Sequence, residues 1–193
     1  GYDFGNTQCI MLAKKKDYMT RPEEYTEESA PVVLYVYPRR AEDRYRPVIA
    51  LVPLPYGYEY EWKTGAGKVR GESYRMLKKR VENAVLSRIE SHLGNDFLNS
   101  VAHRELSTPI TFERYTYNQN GAFMGWSLEE NEYGKFMRQR TEIKDLYLVG
   151  QWVFPGFGVA GVMASGYYLA RDILKGEGID LKKEFADYFS GKE

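Results

Sequence analysis

Residues 146–170, LYLVGQWVFPGFGVAGVMASGYYLA, carry no charged side chain and are broken by Pro155 and by glycines at 150, 156, 158, 161 and 166. The run exceeds the roughly 20 apolar residues that a helix needs to cross a bilayer. So many backbone breaks would leave peptide groups without partners in lipid, so a spanning helix is not expected. Gly156, Gly158 and Gly161 also spell G-x-G-x-x-G. That pattern binds a dinucleotide only where a strand runs directly into the glycines and a second strand follows the helix. Here Pro155 lies between the strand end at Gly150 and the first of these glycines, and no apolar run follows the helix to form another strand. What the stretch predicts is a Gly-rich turn opening onto a helix. The free N–H groups and positive dipole end of such a helix suit an anionic or carbonyl-bearing ligand.

Several function classes drop out on composition. Lys plus Arg equals Asp plus Glu at 27 each, so the net charge is zero and no global basic field exists to hold nucleic acid. The run Lys14-Lys15-Lys16 reads as solvated surface rather than a phosphate patch. A single cysteine, Cys9, excludes an internal disulfide framework and fits a reducing, cytoplasmic setting. His92 and His103 are the only histidines and lack metal-ligand spacing, so no metal is expected.

Along the chain, residues 31–37 (PVVLYVY) and 47–54 (PVIALVPL) are apolar without alternation and read as neighbouring strands covered on both faces. Residues 56–62 are aromatic, either core and rim or the wall of a substrate channel. Over 71–93 the residues Leu77, Val81, Val85, Ile89 and Leu93 recur every four positions, which predicts a packing helix stopped by Gly94. Residues 100–106 read as a short strand, and Thr108-Pro109 as a capped helix start. Residues 129–144 read as a charged crossing segment, 146–149 as a buried strand, the small residues from Val159 as a closely packed helix, and 181–189 as an amphipathic surface piece. The fold class expected is α+β, with a mixed sheet of about five or six strands.

Two passages, STPITFERYTYNQNGAFMGW (107–126) and DLYLVGQWVFPGFGVAGVMASGYYLARDIL (145–174), resemble the C-terminal half of the phytoene desaturase and carotenoid isomerase group of FAD-dependent, amine-oxidase-like oxidoreductases. Counting the helix at 71–93, the resemblance covers roughly residues 25–176. It implies a substrate-binding domain over 1–130 and a return into the FAD-binding domain over 131–193, with the N-terminal nucleotide-binding half lying outside this chain. By the same carry-over, Gly150 and Gln151 sit by the ribityl or pyrophosphate part of FAD. Gly156, Phe157, Gly158 and Val159 face the pyrimidine edge of the flavin, and Arg114, Tyr115, Trp126 and Phe157 are substrate-side residues. For Arg114 and Tyr115, a buried hydrogen-bonded support for their turn is the alternative. Phe157 stands where relatives often have a third glycine and Ala160 where many have proline, so the substrate chamber is reshaped.

The resemblance further implies an apolar, polyene or isoprenoid substrate that is desaturated, saturated or isomerised, and an isolated chain that is inactive and retains no FAD. The partners expected are the apolar substrate and the missing nucleotide-binding segment or subunit. The uncovered flavin-facing surface invites a homodimer, and peripheral membrane contact stays open. A different class of reading makes the chain a non-catalytic apolar-ligand-binding module or one half of a split flavoprotein.

Overall fold

The computed structural model describes residues 2–13, 24–123, 125 and 136–190. Trp126, the basic run at 14–16 and the first part of the charged segment 129–144, residues 129–135, lie outside the described residues. The chain forms two compact units, Gly1–Gly121 and Ala122–Glu193. Helices combine with a small antiparallel sheet, an arrangement compatible with an α+β class.

The N-terminal unit holds the sheet, β1 (Cys9–Leu12), β2 (Val32–Val36) and β3 (Val48–Leu51), in the order β1-β2-β3. Register pairs Leu12 with Val32, and Leu34 with both Ile10 and Ala50. Leu12, Val32, Leu34 and Val36 point into the core, whereas Met11, Tyr35 and Ile49 are exposed on the other face. Neither the five or six strands nor the mixed pairing is found among the described residues, and the strands are not covered on both faces. Period-two alternation puts every second side chain outward whatever its polarity, so an unbroken apolar run does not itself supply a second cover.

Across the inner face lies α1 (Glu72–Leu93), which buries Tyr74, Leu77, Val81, Val85 and Ile89 at the three- and four-residue spacing of one helical stripe. These side chains form one core with β1, β2, Trp62, Phe97 and Ile110. Gly94, at φ 80°, ends the helix by donating to the Glu90 carbonyl. The short helix α2 (Asn95–Asn99) follows, and its Phe97 meets Tyr2 and Phe4 in an aromatic cluster.

Residues 100–106 form no strand. Val101 and Leu106 pack against the core, and Arg104 pairs with Glu82 of α1 at 3.1 Å. Side chains dock this segment along the helix, where no strand edge offers a backbone ladder. Helix α3 (Pro109–Thr116) begins as its sequence predicts, with Thr108 and Thr111 in a reciprocal capping box and proline in the first turn. The Thr108 hydroxyl, fully buried, also meets the Tyr74 hydroxyl at 2.9 Å, tying α3 to α1.

The aromatic stretch before α1 takes a form that no glycine or proline announces. Glu59, Tyr60, Glu61, Trp62 and Lys63 all have φ between 46° and 59°, a full turn of left-handed backbone. Tyr58 and Trp62 anchor it in the core with ring centroids 5.4 Å apart, and Glu59 is tied to Lys63 at 2.9 Å and to Arg80 at 2.5 Å. Tyr56 is half-buried and Tyr60 is 90% exposed, so these aromatics divide between core and rim.

The C-terminal unit contains α4 (Gly158–Gly176) and α5 (Leu181–Ser190). The expected buried strand at 146–149 is absent: Tyr147 forms a single bridge to Arg140, and Leu146 and Val149 are exposed. Among the described residues its pairing reduces to Leu148 N–H donating to the Gln139 carbonyl at 2.8 Å, with one short neighbour instead of a sheet. Helix α5 docks through Phe185, stacked on Tyr167 at 6.3 Å. Among the described residues no helix is long and apolar enough to cross a membrane, and no group of three or more His, Cys, Asp or Glu is placed to hold a metal ion.

Candidate functional site

The Gly-rich turn of the C-terminal unit is built from its backbone outward. Val153 is buried and pairs with Met137, with Phe154 N–H donating to the Met137 carbonyl at 2.9 Å and Gln139 Nε2 donating to the Phe154 carbonyl at 2.5 Å. The Phe154-Pro155 peptide is cis. Phe154 stacks on Tyr168 of α4.

Two of the three motif glycines have packing reasons. Gly156 is buried, and a Cβ there would lie 2.9 Å from the Phe136 ring. At Gly161 a Cβ would lie 2.8 Å from the Gly156 carbonyl oxygen, so the first turn of α4 rests directly on the backbone before it. Gly158 differs. It opens α4 at φ 77° with nothing within 4 Å of a notional Cβ.

Phe157 occupies the N-cap without any side-chain cap, so the first amides of α4 are left for water or a ligand. Phe157, Gly158, Val159 and Ala160 are all exposed, Val159 at 80% and Met163 one turn on at 70%. A 19-residue helix therefore presents its positive end at an accessible surface edged with apolar side chains.

Gly150 is engaged differently from what its place in the motif suggests. Its N–H donates at 2.9 Å to Ser165 Oγ, and that hydroxyl donates at 2.8 Å to the Val162 carbonyl. Ser165 is fully buried, so this serine fastens the incoming chain to α4 and the Gly150 amide is already spent. Gln151 is half-buried beside it, and its carbonyl oxygen sits against Gly125, whose φ of 97° and missing side chain allow the approach. Phe157 and Val159 thus share one exposed edge with Gly158, whereas Gly156 and Gly150 shape the turn from within.

Arg114 and Tyr115 lie in the N-terminal unit on α3, and both are exposed, Tyr115 at 74%. The alternative that they are buried hydrogen-bonded supports is overturned. That work falls to Glu113, one residue earlier and turned inward by the helical period. Glu113 Oε2 accepts from Tyr56 OH at 2.7 Å and from Lys68 Nζ at 2.6 Å, and its Oε1 accepts from the Asn120 amide at 3.3 Å. Gly121, at φ 60°, comes against the Pro109 carbonyl and closes the same turn. Sequence reasoning missed Glu113 because its partners lie 57 and 45 residues away.

The hydrogen bond from Lys68, followed by that from Tyr56, holds the Glu113 carboxyl below the usual carboxylate range. Lys68 is correspondingly raised by Glu113. Because the folded value lies below the unfolded one, the stabilisation is complete above about pH 4.3 and is lost as pH falls through the lowered folded value. Glu113→Gln is therefore expected to melt below the wild type at pH 7, with the gap closing in acid. Melting curves between pH 7 and pH 3 check this, and a gap independent of pH would rule out the charged pair as its source.

Three plant proteins are similar to this chain over 118 residues, 60% of its length. They are a chloroplastic prolycopene isomerase of Daucus carota, 30% identical over 19% of that protein, prolycopene isomerase 1 of an Oncidium hybrid cultivar, 30% identical over 20%, and the prolycopene isomerase of Arabidopsis thaliana, 28% identical over 20%. The matched chain thus spans about a fifth of the length of these curated relatives. This likeness is distant and partial, and it is consistent with the carotenoid isomerase and desaturase group. No family model matches the chain, and no solved structure matches it.

Proposed function

We propose that this chain is the C-terminal part of a flavin-dependent oxidoreductase that desaturates, saturates or isomerises an apolar polyene or isoprenoid substrate. The observation that carries the reading is the exposed, uncapped helix start at Gly158, set in the stretch that resembles the flavin-contacting turn of the phytoene desaturase and carotenoid isomerase group. The likeness to prolycopene isomerases supports the same direction.

FAD, when bound, supplies the redox chemistry. The chain's own part is positional. Amides of Phe157, Gly158 and Val159 at the positive end of α4 favour negative charge on a ring edge placed against them. Fixed dipoles of this kind need no reorganisation when that charge develops. Phe157 and Val159 edge the same surface with apolar side chains that exclude water and suit an apolar substrate. On this reading the nucleotide half of FAD is held by polypeptide outside this chain, and the chain alone is inactive.

FAD added to the purified chain should leave no flavin spectrum after gel filtration. The chain joined to an N-terminal nucleotide-binding segment, fused or in trans, should retain flavin. In that assembly Gly161→Val pushes the start of α4 off the Gly156 carbonyl, an overpacking cost of about 1–3 kcal/mol that lowers flavin affinity about tenfold or more if the turn is the contact. A yellow isolated chain would contradict the inactivity, and equal retention by wild type and G161V would remove the turn from the cofactor site.

A further inference from the structure

A second site lies in the N-terminal unit and rests on no part of the flavin reading. A cavity of about 870 Å³ is lined by five cationic side chains, Lys68, Arg70, Arg75, Lys78 and Arg114, against a single carboxylate, Glu113. Glu113 is already taken by Lys68 at 2.6 Å. Among the described residues Arg70, Arg75, Lys78 and Arg114 have no ion-pair partner, whereas the next two cations along α1 do, Lys79 with Glu82 and Arg80 with Glu27 and Glu59.

This arrangement costs stability when the cavity holds only water. Arg75 and Lys78 are three residues apart on one face of α1, where like charges repel. Excess positive charge facing one concavity concentrates the field there and draws anions in. Three of the four free cations are guanidiniums, whose planar forks match phosphoryl oxygens two at a time. The floor is apolar: Tyr74 and Ile110 are buried beneath it. The hollow is open to solvent on one side, which leaves the rest of a bound phosphate compound free to extend outward.

We propose that this cavity binds the phosphoryl or diphosphoryl group of a small organic phosphate or of a lipid headgroup, held by Arg75 and Arg114 with Arg70 and Lys78 in support. The chain's zero net charge conceals the site. Between residues 63 and 80 there are seven Lys or Arg and one acid, Glu72, a local excess offset elsewhere in the sequence.

The test uses the full chain without FAD. Inorganic pyrophosphate is titrated at constant ionic strength and followed by calorimetry and thermal shift. Saturable binding that raises the melting temperature and weakens about tenfold or more in R75Q/R114Q supports the site, since each lost guanidinium removes a charge-assisted bond. Both side chains are exposed, and far-UV circular dichroism checks that the variant folds. K78Q supplies a milder loss in the same direction. R171Q, which breaks the ion pair with Asp172 in the other unit, should bind pyrophosphate as the wild type does.

Co-sedimentation with phosphatidylcholine vesicles, with and without phosphatidic acid, separates the two sources. Binding to the acidic vesicles alone, displaced by pyrophosphate, assigns a headgroup; pyrophosphate binding without vesicle binding assigns a soluble phosphate. The proposal is overturned by an absence of pyrophosphate binding, by equal affinity in wild type and R75Q/R114Q, or by an equal loss in R171Q.

Discussion

Trp62→Ala is expected to destabilise the N-terminal unit by about 3–5 kcal/mol, the range for removing a large buried aromatic. Trp62 is 2% exposed, packs on Tyr58 and donates its indole N–H to the Pro55 carbonyl at 3.2 Å. It also pins a stretch of left-handed backbone that costs roughly 1–2 kcal/mol per non-glycine residue. Without the indole in the core, residues 59–63 have little reason to keep that conformation. Urea unfolding followed by far-UV circular dichroism measures the loss, which depends little on the removed fluorophore. Tyr60→Gly probes the backbone separately, because Tyr60 is 90% exposed and its φ is 54°. A glycine there should be neutral or stabilising by up to about 1 kcal/mol, its greater unfolded freedom offsetting part of the relief. Were W62A to cost under about 1 kcal/mol, or Y60G to destabilise clearly, the anchored left-handed turn would be wrong.

The second large effect is expected at Arg88, a buried cation on α1. Its guanidinium donates to the carbonyls of Ala30, Glu27 and Glu28, with the Glu27 contact at 3.1 Å. These carbonyls belong to the turn that delivers the chain into β2, a turn closed by Ala30 N–H donating to the Thr26 carbonyl at 2.9 Å. Arg88→Met keeps most of the volume and removes every donor. A buried carbonyl left without a donor costs about 1–3 kcal/mol, so with the Ala30 and Glu27 contacts buried and the Glu28 contact partly buried the loss should reach about 3 kcal/mol. Arg88→Lys retains the charge but offers no planar fork, and should recover less than half of the loss. Full recovery by lysine would mean that charge, not geometry, holds the turn. Hydrogen exchange should localise the weakening in R88M to residues 26–36.

Both effects sit in places that local pattern describes unequally. The helix over 72–93 was readable because its buried residues recur at the period that puts them on one face. The Thr108-Pro109 start was readable because capping is a matter of four adjacent residues. Arg88 lies within that legible helix, yet only the folded chain reveals that it turns inward, since its acceptors are backbone carbonyls about 60 residues away. The left-handed turn gave no signal, because Tyr-Glu-Tyr-Glu-Trp-Lys contains no glycine, asparagine or proline and its conformation follows from burying Tyr58 and Trp62 together. The strands at 31–37 and 47–54 were legible as strands, but not the exposure of their outer face.

The candidate site divides along the same line. The Gly-rich turn and the following helix could be read from Gly156, Gly158, Gly161 and the small residues after them. Their separate duties could not: Gly156 makes room for Phe136 and Gly161 for a carbonyl, while Gly158 alone opens a free surface. The sequence by itself determined the longer helices, the Gly94 stop, the Thr108 cap and the resemblance of the final turn to a flavin-contacting one, because these depend on residues within a few positions of each other. Tertiary structure decided which side chains face water, which amides remain free and which cations share a cavity. Those outcomes depend on residues far apart in the chain, brought together only by burial of a common core.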